Sequence, residues 1–197
     1  MATETPITPR PVATATRAAT PGPTTASDIP QTAYVDPAGE FAVSYPGDWR
    51  QLTEDEILAR LGIGDEAAAE ALANIAVVVA SSDDRALVAI TRLPLPSGAG
   101  GSLDEIAQAV QEANAGSVPG IADINAEPIT LNGVDAVRIS YAADDPTSGA
   151  TGRRLIRQVI IIRGDSAFVL TFIVRADDAA AFEETFDAIE ESWQWRD

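Results

Sequence analysis

The chain has 197 residues, 46% hydrophobic and 22% charged, and its 30 acids against 13 bases leave a formal net charge of −17. Every base is an arginine, and a surface this acidic lacks the basic face that nucleic acid or an anionic membrane requires. With neither cysteine nor histidine, the chain is excluded from disulfides, thiolate nucleophiles, Cys/His zinc sites and a serine nucleophile with an imidazole base, so catalysis would fall to carboxylates, tyrosine, arginine or an unusually partnered serine.

Residues 3–32, TETPITPRPVATATRAATPGPTTASDIPQT, are dominated by Thr, Pro and Ala. Prolines at 6, 9, 11, 21, 23 and 30 oppose helix and favour an extended path. Glu4 and Asp28 balance Arg10 and Arg17, so the whole net charge falls on residues 33–197. The expected organisation is a disordered stalk or linker over 1–32 and one α/β domain over 33–197, a monomer. A stalk of this kind suits an extracytoplasmic protein, periplasmic or at the cell surface, whose signal or lipid anchor has been removed. No apolar run reaches the roughly 18 residues of a membrane span, so membrane contact is expected only through such an N-terminal anchor.

Beyond the stalk, Asp36-Pro37-Ala38-Gly39 predicts a turn, and the alternation Phe41, Val43, Tyr45 predicts a strand with one apolar face. Pro46-Gly47 ends it, and Trp49 is expected to fold back as a core plug. Thr53-Glu-Asp-Glu56 is a capping box opening a helix through Ile57, Leu58 and Leu61, interrupted at Gly62 and Gly64 and resumed over 65–73. Strands are expected at 75–81 and 86–93, joined by Ser82-Asp83-Asp84-Arg85. PLPSGAGGS, 94–102, matches neither glycine-rich phosphate motif and reads as a loop leading to a second capping box, Ser102 to Glu105. Leu103, Ile106, Ala107 and Val110 then share one helical face.

Asn132-Gly133 predicts a hairpin between strands at 121–131 and 134–142. A second hairpin is expected from Arg153–Arg163 and Ser166–Arg175 around Gly164-Asp165. Both of these strands are apolar on both faces and therefore require cover on both sides. In the last segment Phe182, Phe186, Ile189 and Trp193 recur at helical spacing, with the acids expected to face outward. The predicted fold is an α/β/α sandwich with a central antiparallel sheet covered by helices on both faces.

The stretch FAVSYPGDW (41–49), the Leu131-Asn132-Gly133 hairpin, the two strands from Arg153 to Arg175 and the closing Phe182/Phe186/Trp193 helix together resemble the PsbP-like family. That family shares its fold with a Ran-binding nuclear import factor and several bacterial lipoproteins. The resemblance implies a noncatalytic accessory domain that binds another protein, as plant members do on the lumenal side of photosystem II. A lysine-free chain of charge −17 departs from the basic docking surface of those plant proteins, so their partner does not carry over.

Acidic pairs at 83/84, 144/145, 177/178, 183/184 and 190/191 fall in turns or on a helix, where carboxylates cap or are solvated rather than form a glycosidase dyad. A calcium loop begun at Asp144 fails at Pro146 and Leu155. No catalytic, cofactor or metal residue is therefore assigned. Arg153, Arg154 and Arg157 form the sole local basic cluster, beside the polar loop that Asp144 and Asp145 open. These five residues are the candidate contacts for an unidentified protein partner. The alternative for the arginines is internal pairing with surplus acids. The expected function is a noncatalytic extracytoplasmic binding or scaffolding domain; the alternative is a carrier of lipid or another small hydrophobic ligand between sheet and helices.

Overall fold

The computed structural model describes residues 31–61, 72–95, 102–145 and 152–196. The stalk through residue 30, the 65–71 part of the alanine-rich segment, most of the glycine-rich loop and the centre of the loop after Asp145 lie outside the described residues. In chain order the elements are β1 (Gln31–Val35), β2 (Phe41–Pro46), β3 (Arg50–Gln51), α1 (Glu54–Leu61), β4 (Ile75–Ala80) and β5 (Ala86–Pro94). Next come α2 (Leu103–Ser117), β6 (Ala122–Leu131), β7 (Val134–Asp144), β8 (Arg153–Arg163), β9 (Ser166–Arg175), α3 (Ala179–Glu191) and β10 (Gln194–Trp195). Strand β1 starts at Gln31, so its first two residues overlap the segment read as stalk.

Seven strands form the central antiparallel sheet in the order β3-β4-β5-β9-β8-β7-β6. The opening pair does not extend that sheet: β1, β2 and β10 form a second, three-stranded sheet. Phe41, Val43 and Tyr45 of β2 are buried against one face of the large sheet, together with Phe182, Phe186 and Ile189 of α3. That layer is thus a helix beside a small sheet. The opposite face is covered by α2 through Ala107, Leu103, Ile106 and Val110, and towards β4 and β5 by Ile57 of α1 with Leu52.

The alternation in β8 and β9 explains why both faces are dry. Val159 and Ile161, with Phe168, Leu170, Phe172 and Val174, turn towards α3; Ile156 and Ile160, with Val169, turn towards α2. Each fully buried large apolar side chain of this kind contributes about 1.5–3 kcal/mol. Trp49 is buried edge-on to Phe182, and Trp193 stacks on Phe41 with centroids 4.4 Å apart.

Caps and turns arise from local chemistry. Thr53 and Glu56 exchange side-chain-to-backbone hydrogen bonds, as do Ser102 and Glu105, forming both capping boxes. Asn132 and Gly133 have φ of 49° and 83°, the paired positive values a two-residue hairpin needs. Asn132 does more than turn the chain, because its side-chain amide donates to the carbonyls of Glu191 and Trp193 and fastens the hairpin to the end of α3.

One expectation for α3 is corrected. Its acids do not all face outward: Glu190 is 2% exposed and lies between Arg138 of β7 and Arg157 of β8. Position 190 is four residues after Phe186, so it falls on the apolar stripe and needs cationic partners there.

Candidate functional site

The β7–β8 ladder pairs Asp144 with Arg153, Ala142 with Leu155 and Ser140 with Arg157, and alternation turns these pairs to the α3 side. Above them the helix enters with Ala179 and Ala180, whose small side chains leave the sheet uncovered. The result is a cleft of about 390 Å³ between α3 and the β6 edge. Its apolar lining includes Ala142, Leu155, Phe172, Val174, Ala180 and Phe186. Leu155 is 39% exposed there, one of only three large hydrophobic side chains so exposed among the described residues.

Acids stand on two sides of the opening. Glu183 comes from α3, one turn beyond Ala179. Asp123 comes from β6, where the register with β7 shifts between Ala122 and Asn125 and Asp123 takes a φ of 56°. A bulge of this kind re-aims a side chain at a sheet edge. Neither carboxylate has an ion pair or hydrogen-bond partner among the described residues.

The five sequence-selected residues are not one patch. Strand alternation divides them: Arg153, Arg157 and Asp144 lie on the cleft side, whereas Arg154 lies on the α2 side, opposite Ala143 and Arg175 in register. Arg153 donates to the Gly120 carbonyl at 3.3 Å and approaches the Asp144 carboxylate at 3.9 Å. Gly120, with φ of 63°, lets Asp144 lie where a side chain would stand: an added Cβ would meet the Asp144 carboxyl carbon at 2.1 Å. Arg157 donates from one Nη to Asp187 at 2.6 Å and to Glu190 at 3.3 Å, which secures α3 over β8.

Across the sheet, the Arg154 Nε is buried without a hydrogen-bond partner, and no carboxylate among the described residues pairs with this guanidinium. Its charge works against burial in setting the Tyr141 phenol, whose pKa burial nonetheless holds above its ordinary value. Asp145 is 7% exposed, and its carboxylate lies 3.9 Å from Arg175 Nε. Two positions missed from sequence, Arg138 and Glu190, complete the anchoring of α3. Arg138 donates to both Glu190 and Glu127. Burial pulls the Arg138 guanidinium down, but these two carboxylates outweigh it and hold its pKa above the ordinary arginine value.

Chemically, the cleft offers apolar contact, an acidic rim and an arginine already engaged by acids. Among the described residues no group of three or more His, Cys, Asp or Glu side chains could hold a metal ion, and no helix is long and apolar enough to cross a membrane.

Fold and cleft together define an α/β/α sandwich domain with an open surface recess. The chain belongs to the PsbP-like protein family, whose model matches residues 24–195. The solution structure of cyanobacterial PsbP (CyanoP) from Synechocystis is similar at 14% identity and a TM-score of 0.56, over 84% of this chain and 92% of that one. The Ran-binding protein Mog1p of Saccharomyces cerevisiae is similar at 8% identity and a TM-score of 0.51, over 84% and 95% respectively. A Bacteroides thetaiotaomicron protein matches at 15% identity and a TM-score of 0.52, over 84% of this chain but 48% of its own. At these identities the likeness is one of fold. No curated protein sequence matches significantly.

Proposed function

We propose that this is a noncatalytic binding domain that works outside the cytoplasm, displayed by its Thr/Pro/Ala-rich N-terminal segment, and engages a protein partner through the cleft beneath the start of α3. The observation that carries the reading is the exposed Leu155 on an apolar floor left open by Ala179 and Ala180. A leucine exposed at the mouth of a recess, rather than singly on a flat surface, is a contact that a partner's side chain can cover. Family membership supports an accessory role, and the proline-punctuated composition of 1–32 supports display away from an anchor. Arg153 and Asp144, at one end of the floor, are then peripheral contacts, while Arg157 chiefly holds the helix.

The cleft also supports the carrier reading, because its volume lies within the range of about 300–1,000 Å³ typical of small-ligand sites. One experiment separates the two. A photoreactive phenylalanine analogue in place of Leu155, irradiated in cells, should give a discrete higher-mass protein adduct in the envelope fraction. The adduct should disappear when Ala180→Trp fills the recess. A lipid adduct at the same position would establish the carrier instead, and recovery of the full-length gene product in the cytosol would overturn the compartment.

A further inference from the structure

We infer that the cleft selects a partner segment in which a large apolar side chain is flanked by arginine or lysine. The inference rests on the docking role of the cleft and adds the chemistry of its occupant. The floor supplies the first half: Leu155, 39% exposed, offers apolar contact over the buried Phe172 and Val174 and beside Ala180, with Ser140 supplying a hydroxyl among these neighbours. A partner that covers Leu155 gains most from an apolar anchor.

Charge complementarity supplies the second half. The positive groups beside the floor are already matched. Arg157 binds Asp187 and Glu190, and Arg153 faces Asp144. Asp123 and Glu183 are left at the opening, neither with a partner among the described residues, one from the strand edge and one from the helix. An anionic segment would meet these two carboxylates, and behind them a domain that carries essentially all of a net charge of −17. A cationic segment gains from both, through local pairing and through long-range attraction during encounter. The two acids lie on opposite sides of the apolar floor, which places basic residues on both flanks of the anchor. The bulged backbone that brings Asp123 to the opening is a second feature of the edge strand aimed at the same place.

An arginine-rich run would by itself favour an acidic occupant. Once alternation divides Arg154 from Arg153 and Arg157, and acids occupy Arg157, no basic patch remains among the described residues of the cleft side to receive an acidic partner.

The test uses the full chain, isotopically labelled, and four capped synthetic peptides in which glycine-serine spacers surround a Leu-Phe pair. The pair is flanked by arginine, by glutamate or by serine; in the fourth peptide arginines flank Ser-Ser. Amide correlation spectra follow the titrations. The arginine-flanked Leu-Phe peptide should move the signals of Ala142, Leu155, Ala180 and Glu183 and bind about tenfold more tightly than the glutamate-flanked one. Added salt should shrink that difference. The double variant Asp123→Asn, Glu183→Gln, which preserves shape and suits the positive φ, should remove most of the advantage of the arginine-flanked over the serine-flanked peptide, leaving only a remainder that added salt abolishes, with the remaining spectrum in place.

Equal binding of all three Leu-Phe peptides at the cleft would overturn the charge selection and leave the docking role standing. Equal binding of the Ser-Ser peptide would show attraction to the acidic surface alone and overturn the anchor. Shifts confined to other parts of the sheet, or none at all, would overturn the inference itself, while the photo-crosslink from position 155 independently reports whether the cleft meets a protein.

Discussion

Two ends of one sheet face do opposite things. Near the chain termini of the domain, Phe41, Phe168, Trp193 and Trp195 contact one another edge-on or stacked, and the first three are fully buried. Near the start of α3, alanines stand over the same sheet and the space stays open. Helix α3 and the few residues that follow it span both situations. Side-chain volume along α3 separates a part that holds the domain together from a part left available to a partner, with the Arg138–Glu190–Arg157 network between them fixing the helix height.

That contrast can be broken most severely at the filled end. Trp193→Ala removes a side chain that is 1% exposed and stacked on Phe41, and it should cost roughly 3–5 kcal/mol in urea unfolding. A loss below about 1 kcal/mol would mean that this end is not close-packed.

At the junction, Glu190→Ala leaves two arginines facing a vacated site. It should cost about 3 kcal/mol, at the lower end of the range for breaking a buried pair because both arginines reach solvent in part. Glu190→Gln should fall between this variant and wild type.

At the open end, Ala180→Leu should change stability by less than about 1 kcal/mol, since the added methyl groups enter the cleft rather than a filled core. It should nevertheless weaken capture of the arginine-flanked Leu-Phe peptide. A large stability loss would show that the cleft closes in solution.

The smallest effect lies outside that face and provides its control. The Thr53 backbone N–H, and then Arg50, hold the Glu56 carboxyl below its ordinary pKa. A depressed carboxyl stabilises the fold above the unfolded-state pKa, and the contribution disappears as pH falls through the folded value. Glu56→Gln should therefore lower the melting temperature slightly near neutral pH, and the gap should close on acidification. A gap that widens in acid would reverse the assigned sign.

Much of this architecture was legible because its signals are local. Capping boxes at Thr53 and Ser102, Asn132-Gly133 and the two-sided apolar pattern of β8 and β9 each act through neighbours in sequence, and they place the strands, helices and turns. The candidate site was legible only in part. Arg153, Arg154 and Arg157 are close in sequence, yet a strand sends neighbours to opposite faces, so a linear cluster is not a spatial one. The signal for that division is present in the sequence, because the same alternation governs the isoleucines of β8. Glu190 carries a comparable warning in its four-residue spacing from Phe186.

Composition and periodicity by themselves determined an acidic, arginine-only chain without cysteine or histidine, an α/β/α sandwich with a strand-rich centre, and the identity of its main aromatic core. These depend on residue type and on spacings of two to four residues. Tertiary structure alone decided that β1 and β2 join β10 in a separate sheet, that a buried glutamate lies between arginines from two strands, and that Asp123, Leu155 and Glu183 surround one cleft. Those residues come from β6, β8 and α3, and nothing in their local sequence records the distance between them. Only the stacking of layers, which sets how far two alanines keep a helix from the sheet below, brings them together.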